Sequence, residues 1–90
     1  MPRFYFHTNN PAEGLMQDDE GIEFPSIHEA KCEAVAYAGR LLCDVAESFW
    51  DHADFELTVT DDRGLILFVM RVVGSVAPAV RTPLETTRVT

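Results

Sequence analysis

The chain opens with RFYFHT over residues 3–8, where Phe4 and Phe6 alternate with Arg3, Tyr5 and His7. A period of two puts neighbouring side chains on opposite faces, so this segment predicts a strand with one buried face. NNPAEG, residues 9–14, follows as turn chemistry, since Asn, Pro and Gly each favour chain reversal. In QDDEGIEFP, residues 17–25, Ile22 and Phe24 flank Glu23, which suits one short edge strand within a loop.

Ser26 then opens a helix. Its hydroxyl can cap an amide three residues on while Glu29 reaches back, the S-x-x-E capping box, and Pro25 disfavours helical backbone at Phe24. Ile27, Ala30, Ala34, Ala38, Leu41, Val45 and Phe49 recur at gaps of three and four. That stripe predicts one helix over 26–50, about seven turns long. FELTVT, residues 55–60, alternates again, with Phe55, Leu57 and Val59 inward. DDRG supplies a reversal in which Gly64 takes the left-handed conformation. LILFVMRVV, residues 65–73, is apolar on both faces until Arg71, the pattern of a central or doubly covered strand. Beyond Gly74 periodicity stops.

These elements define an α+β fold: a small antiparallel sheet of three strands, four with the short one, packed against one long helix as a two-layer sandwich. Residues 1–74 form the single domain, and residues 75–90, with two prolines and four threonines, are expected to be a flexible C-terminal tail.

The helix carries more apolar surface than one sheet needs. At about 100° per residue, Cys32 and Cys43 fall about 20° apart on the side away from the core stripe. Ala36 and Gly39 lie between them, and Trp50 ends the same sector. Small side chains let a second helix approach closely, and Trp is a frequent interface anchor. Cys32, Ala36, Gly39, Cys43 and Trp50 are therefore the candidate interface of a homodimer. The competing expectation is that the tail or the 9–25 loop folds over this side.

At 90 residues the domain is small enough that a second subunit would add materially to its stability. The net charge of −8 repels phosphate backbones, which argues against nucleic acid. It leaves a basic protein partner as a weaker option. No apolar run approaches the roughly 18 residues needed to cross a bilayer, and the first residues lack the pattern of a secretory signal, so a cytoplasmic location and no membrane partner are expected. Cys32 and Cys43 are about 16 Å apart along a helix, beyond disulfide reach, and are expected to be free thiols buried as small apolar groups.

Candidate chemistry is sparse. The three imidazoles, His7, His28 and His52, have no metal-ligand spacing, and DDE at 18–20 and DD at 61–62 lack a calcium-loop frame. Such turn carboxylates ordinarily stay solvated or cap amides. With no nucleophile elbow and no Gly-rich phosphate loop, no catalytic, cofactor or metal residue is assigned. The expected role is a non-enzymatic interaction module that self-associates. The alternative is a small-ligand or enzymatic site on the open sheet face around Tyr5 and His7.

PRFYFH at the start, DDEGIEFPS, EAxxEAxxxAGxLL over 29–42 and FWDHADFELTVTDDRGLILFVMR occur in order. This set resembles an uncharacterised family of short rhizobial and other alphaproteobacterial proteins, a domain of unknown function that opens with a PRxxFH-like strand. The resemblance spans residues 2–73. It implies the domain boundaries, and neither an activity nor a catalytic residue. His7 stands where the family pattern implies an aromatic residue or aspartate, which weakens a catalytic role for it.

Overall fold

The computed structural model describes residues 2–11 and 13–81. The described strands are β1 (Arg3–Asn10), β2 (Gly14–Met16), β3 (Ile22–Glu23), β4 (Asp54–Thr60) and β5 (Ile66–Val73), with one helix, α1 (Ile27–Asp44), between β3 and β4. β1 and β4 pair antiparallel from Tyr5↔Thr60 to Asn9↔Glu56 and form the middle of the sheet. Their alternation decides the layers: Phe4, Phe6, Phe55, Leu57 and Val59 are buried on one face, beneath α1.

α1 meets that face with small side chains at its centre: Ala30, Ala34 and Ala38 are its fully buried residues, and Tyr37, Leu41 and Leu42 pack partly buried against the same core. The architecture is α+β with two layers, as the residue pattern implies, but the sheet has five strands rather than three or four. The additional strand is β2, which the NNPAEG turn folds back on β1 with Thr8↔Met16 and Asn9↔Leu15 in register. The short strand expected at Ile22 is β3, paired with the start of β1. Gly21 leads into β3 at φ +71°, where a Cβ would meet Arg3 Cγ at 2.8 Å and the Phe4 carbonyl oxygen at 3.0 Å. Close approach and left-handed backbone together make glycine necessary there.

Several expectations need correction. First, the helix ends at Asp44 and does not run to Trp50. Beyond Asp44 the amides begin to reach back three residues, Ala46 to Cys43 and Ser48 to Val45, and the chain tightens into a 3-10 turn over Phe49–Asp51. Ser48 donates its hydroxyl to the Val45 carbonyl at 3.4 Å, a local bond that competes with continued helix. Phe49 still packs on the core, so the apolar spacing outlasts the helix. Ile27, placed in the core stripe, is 42% exposed. Second, the Ser26 hydroxyl bonds the Glu29 carboxylate and caps no amide.

Third, β5 is neither central nor covered twice. The order is β2-β1-β4-β5, so β5 is an edge. A strand that is apolar on both faces reads the same whether the second cover comes from its own chain or from elsewhere. Of the expected tail, residues Pro78–Arg81 form a 3-10 turn, and residues 82–90 lie outside the described residues.

Candidate functional site

β1 pairs β3 through Arg3 and Phe4 and β2 through Thr8 to Asn10, which leaves residues 5–7 without a strand on that side. The Asp18 side chain fills the gap. One carboxylate oxygen accepts the Phe6 N–H at 3.1 Å, and the other accepts the N–H groups of Glu20 at 3.0 Å and Gly21 at 3.1 Å. Part-burial alone would raise this carboxyl, but the amides of Gly21, Phe6 and Glu20, with His7 nearby, hold it below the ordinary aspartate value. Asp18 thus closes the loop between β2 and β3. Sequence reasoning placed it among turn carboxylates and missed this role, because its partner Phe6 is twelve residues away and is brought near only by β3 pairing.

The same loop pins His7. Asp18 donates its backbone N–H to His7 Nδ1 at 3.1 Å, so Nδ1 is the acceptor and Nε2–H donates to Thr60 Oγ1 at 3.0 Å. Tyr5 and His7 both line a basin of about 470 Å³ on the open sheet face, together with Leu15, Thr58, Asp61 and Ile66. The expected pair therefore shares a surface, yet both imidazole nitrogens are already engaged in structural bonds. A general base needs one of them free. His7→Ala strands the Asp18 amide and the buried Thr60 hydroxyl, and is expected to cost about 1 to 2 kcal/mol in urea unfolding. Asp61, which rims the basin, accepts the Arg63 and Leu65 amides at 2.9 Å each and closes the β4–β5 turn. Among the described residues no three His, Cys, Asp or Glu side chains stand together to hold a metal ion.

At the other edge of the sheet, no described strand pairs with the outer side of β5. Leu65, Ile66, Val69 and Val73 are 61, 60, 50 and 65% exposed, an apolar band the length of the strand. Gly74 donates its N–H to the Ala53 carbonyl at 2.9 Å, so by the two-residue period the backbone groups of Val73, Arg71 and Val69 turn to the free edge. Arg71, the one charge in the strand, is tied by a forked bond to Asp54 at 2.9 and 3.1 Å, and it holds that carboxyl below its ordinary value.

Over residues 3–73 the chain matches a family model described as a domain of unknown function, DUF6894. It belongs to the DUF6894 family. No curated protein and no solved structure matches the chain. The DUF6894 match starts with β1 and stops with β5, and so takes in every described strand and α1.

In this DUF6894 domain no segment among the described residues covers the far side of α1. Cys32, Ala36, Gly39 and Cys43 are all exposed, Val35 is 62% exposed, and a Cβ on Gly39 would meet nothing within 4 Å. The thiols are free but not buried, contrary to expectation, because the helix lies across a single sheet face and no described segment returns over its back. Cys32 Sγ lies 3.9 Å from His28 Nε2. Trp50 does not share this stripe. Once the helix ends at Asp44, its ring turns edge-on to Phe49 and lies over Gly74, where a Cβ would come within 2.6 Å of it. The expected interface of Cys32, Ala36, Gly39, Cys43 and Trp50 therefore divides into a helix stripe and a tryptophan beside the end of β5. Among the described residues of the DUF6894 domain, no helix is long and apolar enough to cross a membrane.

Proposed function

We propose that this DUF6894 domain is a non-enzymatic interaction module that self-associates, with two copies pairing along β5. The carrying observation is the β5 edge, which no strand among the described residues pairs or covers. Edge strands are usually blunted by Pro, Lys, inward charges or a covering segment, because their unpaired amides and carbonyls template further pairing. Here an eight-residue edge has no Pro or Lys, its single Arg is neutralised by Asp54, and four large apolar side chains flank it in solvent. Trp50, 57% exposed and seated on Gly74, adds an apolar ring beside the end of the strand.

Antiparallel pairing of two β5 strands about a two-fold axis normal to the sheet is isologous, and keeps both helices on one side of a continuous sheet. It supplies partners for the outward amides of Val69, Arg71 and Val73 and removes apolar surface that a monomer leaves wet. A reducing cytoplasm suits the two exposed free thiols.

Light scattering at micromolar concentration is expected to give twice the 10.1 kDa chain mass. Val69→Pro removes an amide that faces the free edge rather than β4, so it is expected to yield a folded monomer. Gly39→Glu, which places a charge on the helix stripe, is expected to leave the dimer intact. Should Gly39→Glu give the monomer while Val69→Pro does not, the pairing belongs to the helix. A wild-type monomer at those concentrations would refute self-association.

A further inference from the structure

A cleft of about 580 Å³ lies between α1 and the segment from β2 to β3, across the sheet from the β5 edge. Its apolar lining includes Met16, Ile22, Tyr37 and Leu41, of which Met16 and Ile22 are 57% and 47% exposed. Tyr37 is held edge-on to Phe6, with ring centroids 6.0 Å apart. Glu13, Glu20, Glu33 and Asp44 stand around it, and Arg40 is the cation among the lining residues.

The placement of Arg40 is informative. Its guanidinium donates to Glu33 Oε2 at 2.7 Å, and its central carbon lies 5.8 Å from the Tyr37 ring centroid. A carboxylate and an aromatic face are thus arranged around a positive charge, and the chain supplies that charge itself. The plug is loosely seated, since the Arg40 side chain is 60% exposed. An ion pair whose guanidinium lies largely in solvent, opposite a Glu33 side chain that is 30% exposed, contributes little to stability, so an incoming cation displaces it at low cost.

We propose that this cleft binds a small organic cation with an apolar body, an aryl- or alkylammonium. Its ammonium takes the position of the Arg40 guanidinium between Glu33 and Tyr37, and its hydrocarbon part lies on Met16, Ile22 and Leu41. The volume falls in the range of small-molecule sites. The surrounding carboxylates reject an anion, and the cation–π contact favours charge over a neutral isostere.

The test is a titration of 4-phenylbutylamine into the full chain, followed by NMR of the Met16, Ile22 and Tyr37 signals. A compound of this size is expected to bind with Kd on the order of 1 mM. The neutral 4-phenylbutan-1-ol and the anionic 4-phenylbutyrate are expected to bind at least about tenfold more weakly. Glu33→Gln is expected to weaken the amine by about tenfold, and Arg40→Ser, which removes the internal competitor, to tighten it by about three- to tenfold. Glu47→Gln changes the net charge outside the cleft and is expected to leave binding unchanged. The proposal is overturned if Arg40→Ser weakens the amine, if the carboxylate binds better than the amine, or if Glu47→Gln weakens the amine as much as Glu33→Gln does. Absence of shifts at Met16, Ile22 and Tyr37 overturns it as well. None of these readouts depends on the β5 edge.

Discussion

Asp18→Ala is expected to lower the unfolding free energy by about 3 kcal/mol at neutral pH, the sum of three charge-assisted hydrogen bonds discounted for partial exposure. The loss falls on one place in the sheet. Phe6 donates to Asp18 where β1 has no neighbouring strand, and the amides of Glu20 and Gly21 are drawn to the same carboxylate. Without it, the 17–21 loop loses the contacts that turn Gln17 away from β2 and bring Ile22 back to Phe4, so β3 is expected to detach. Because Gln17 and Asp18 border both the basin beside His7 and the cleft beside α1, the two cavities are expected to merge or collapse together.

The same residue carries a pH signature with a definite sign. Desolvation pushes the Asp18 carboxyl up, but the amide donors, Gly21 first, push it down by more, so the folded value lies below the unfolded one. A group depressed in this way stabilises above its unfolded value and loses that contribution as pH falls through the folded one, here in the acid range below about pH 4. Urea unfolding followed by circular dichroism at pH 7 and pH 3 should therefore show the gap between wild type and Asp18→Asn narrowing in acid. Asp54 and Asp61 are also depressed and tilt the wild-type curve, but they are common to both proteins and cancel in the difference. A gap of equal size at both pH values would mean that the carboxylate charge is not what closes the loop.

Leu57→Ala is expected to cost about 3 to 4 kcal/mol, toward the upper part of the range for buried leucine truncations. Leu57 is fully buried at the centre of β4, flanked in register by Thr8 of β1 and Met70 of β5. The fully buried helix residues above the sheet are Ala30, Ala34 and Ala38, whose methyls have no rotamers with which to reach into the space left behind, so refilling falls to the partly buried Tyr37, Leu41 and Leu42. The alanine face closes the cavity only by a movement of the helix itself. Thermal and urea denaturation check this directly. A cost near 1 kcal/mol would show that the helix rides more loosely on the sheet than the buried alanines imply.

Legibility in the sequence followed whether a signal was local. β1, β4 and α1 could be read from Phe4 and Phe6, from Phe55 to Val59, and from the alanine spacing, because a period of 2 or 3.6 needs no knowledge of distant residues. Gly64 at φ +83° closes its turn as its sequence context implies. The end of α1 was not legible: Phe49 faces the core from a 3-10 turn at the spacing a longer helix would also give. The roles of Asp18 and His7 were hidden for another reason. Each depends on an atom placed by strand pairing, Phe6 N–H for one and Thr60 Oγ1 for the other, and no spacing rule in one dimension reports those meetings.

The amino-acid order alone settled the elements and the buried faces of the two central strands, because side-chain periodicity and turn chemistry act over a few residues. It also settled that the chain has more apolar surface than one helix and one sheet face consume. Where that surplus lies was decided only in three dimensions. Strand order makes β5 an edge, the early helix end moves Trp50 beside it, and the approach of the β2–β3 segment to α1 opens a cleft around Arg40. Each outcome depends on which segments become neighbours, a long-range choice made by the packing of the whole core.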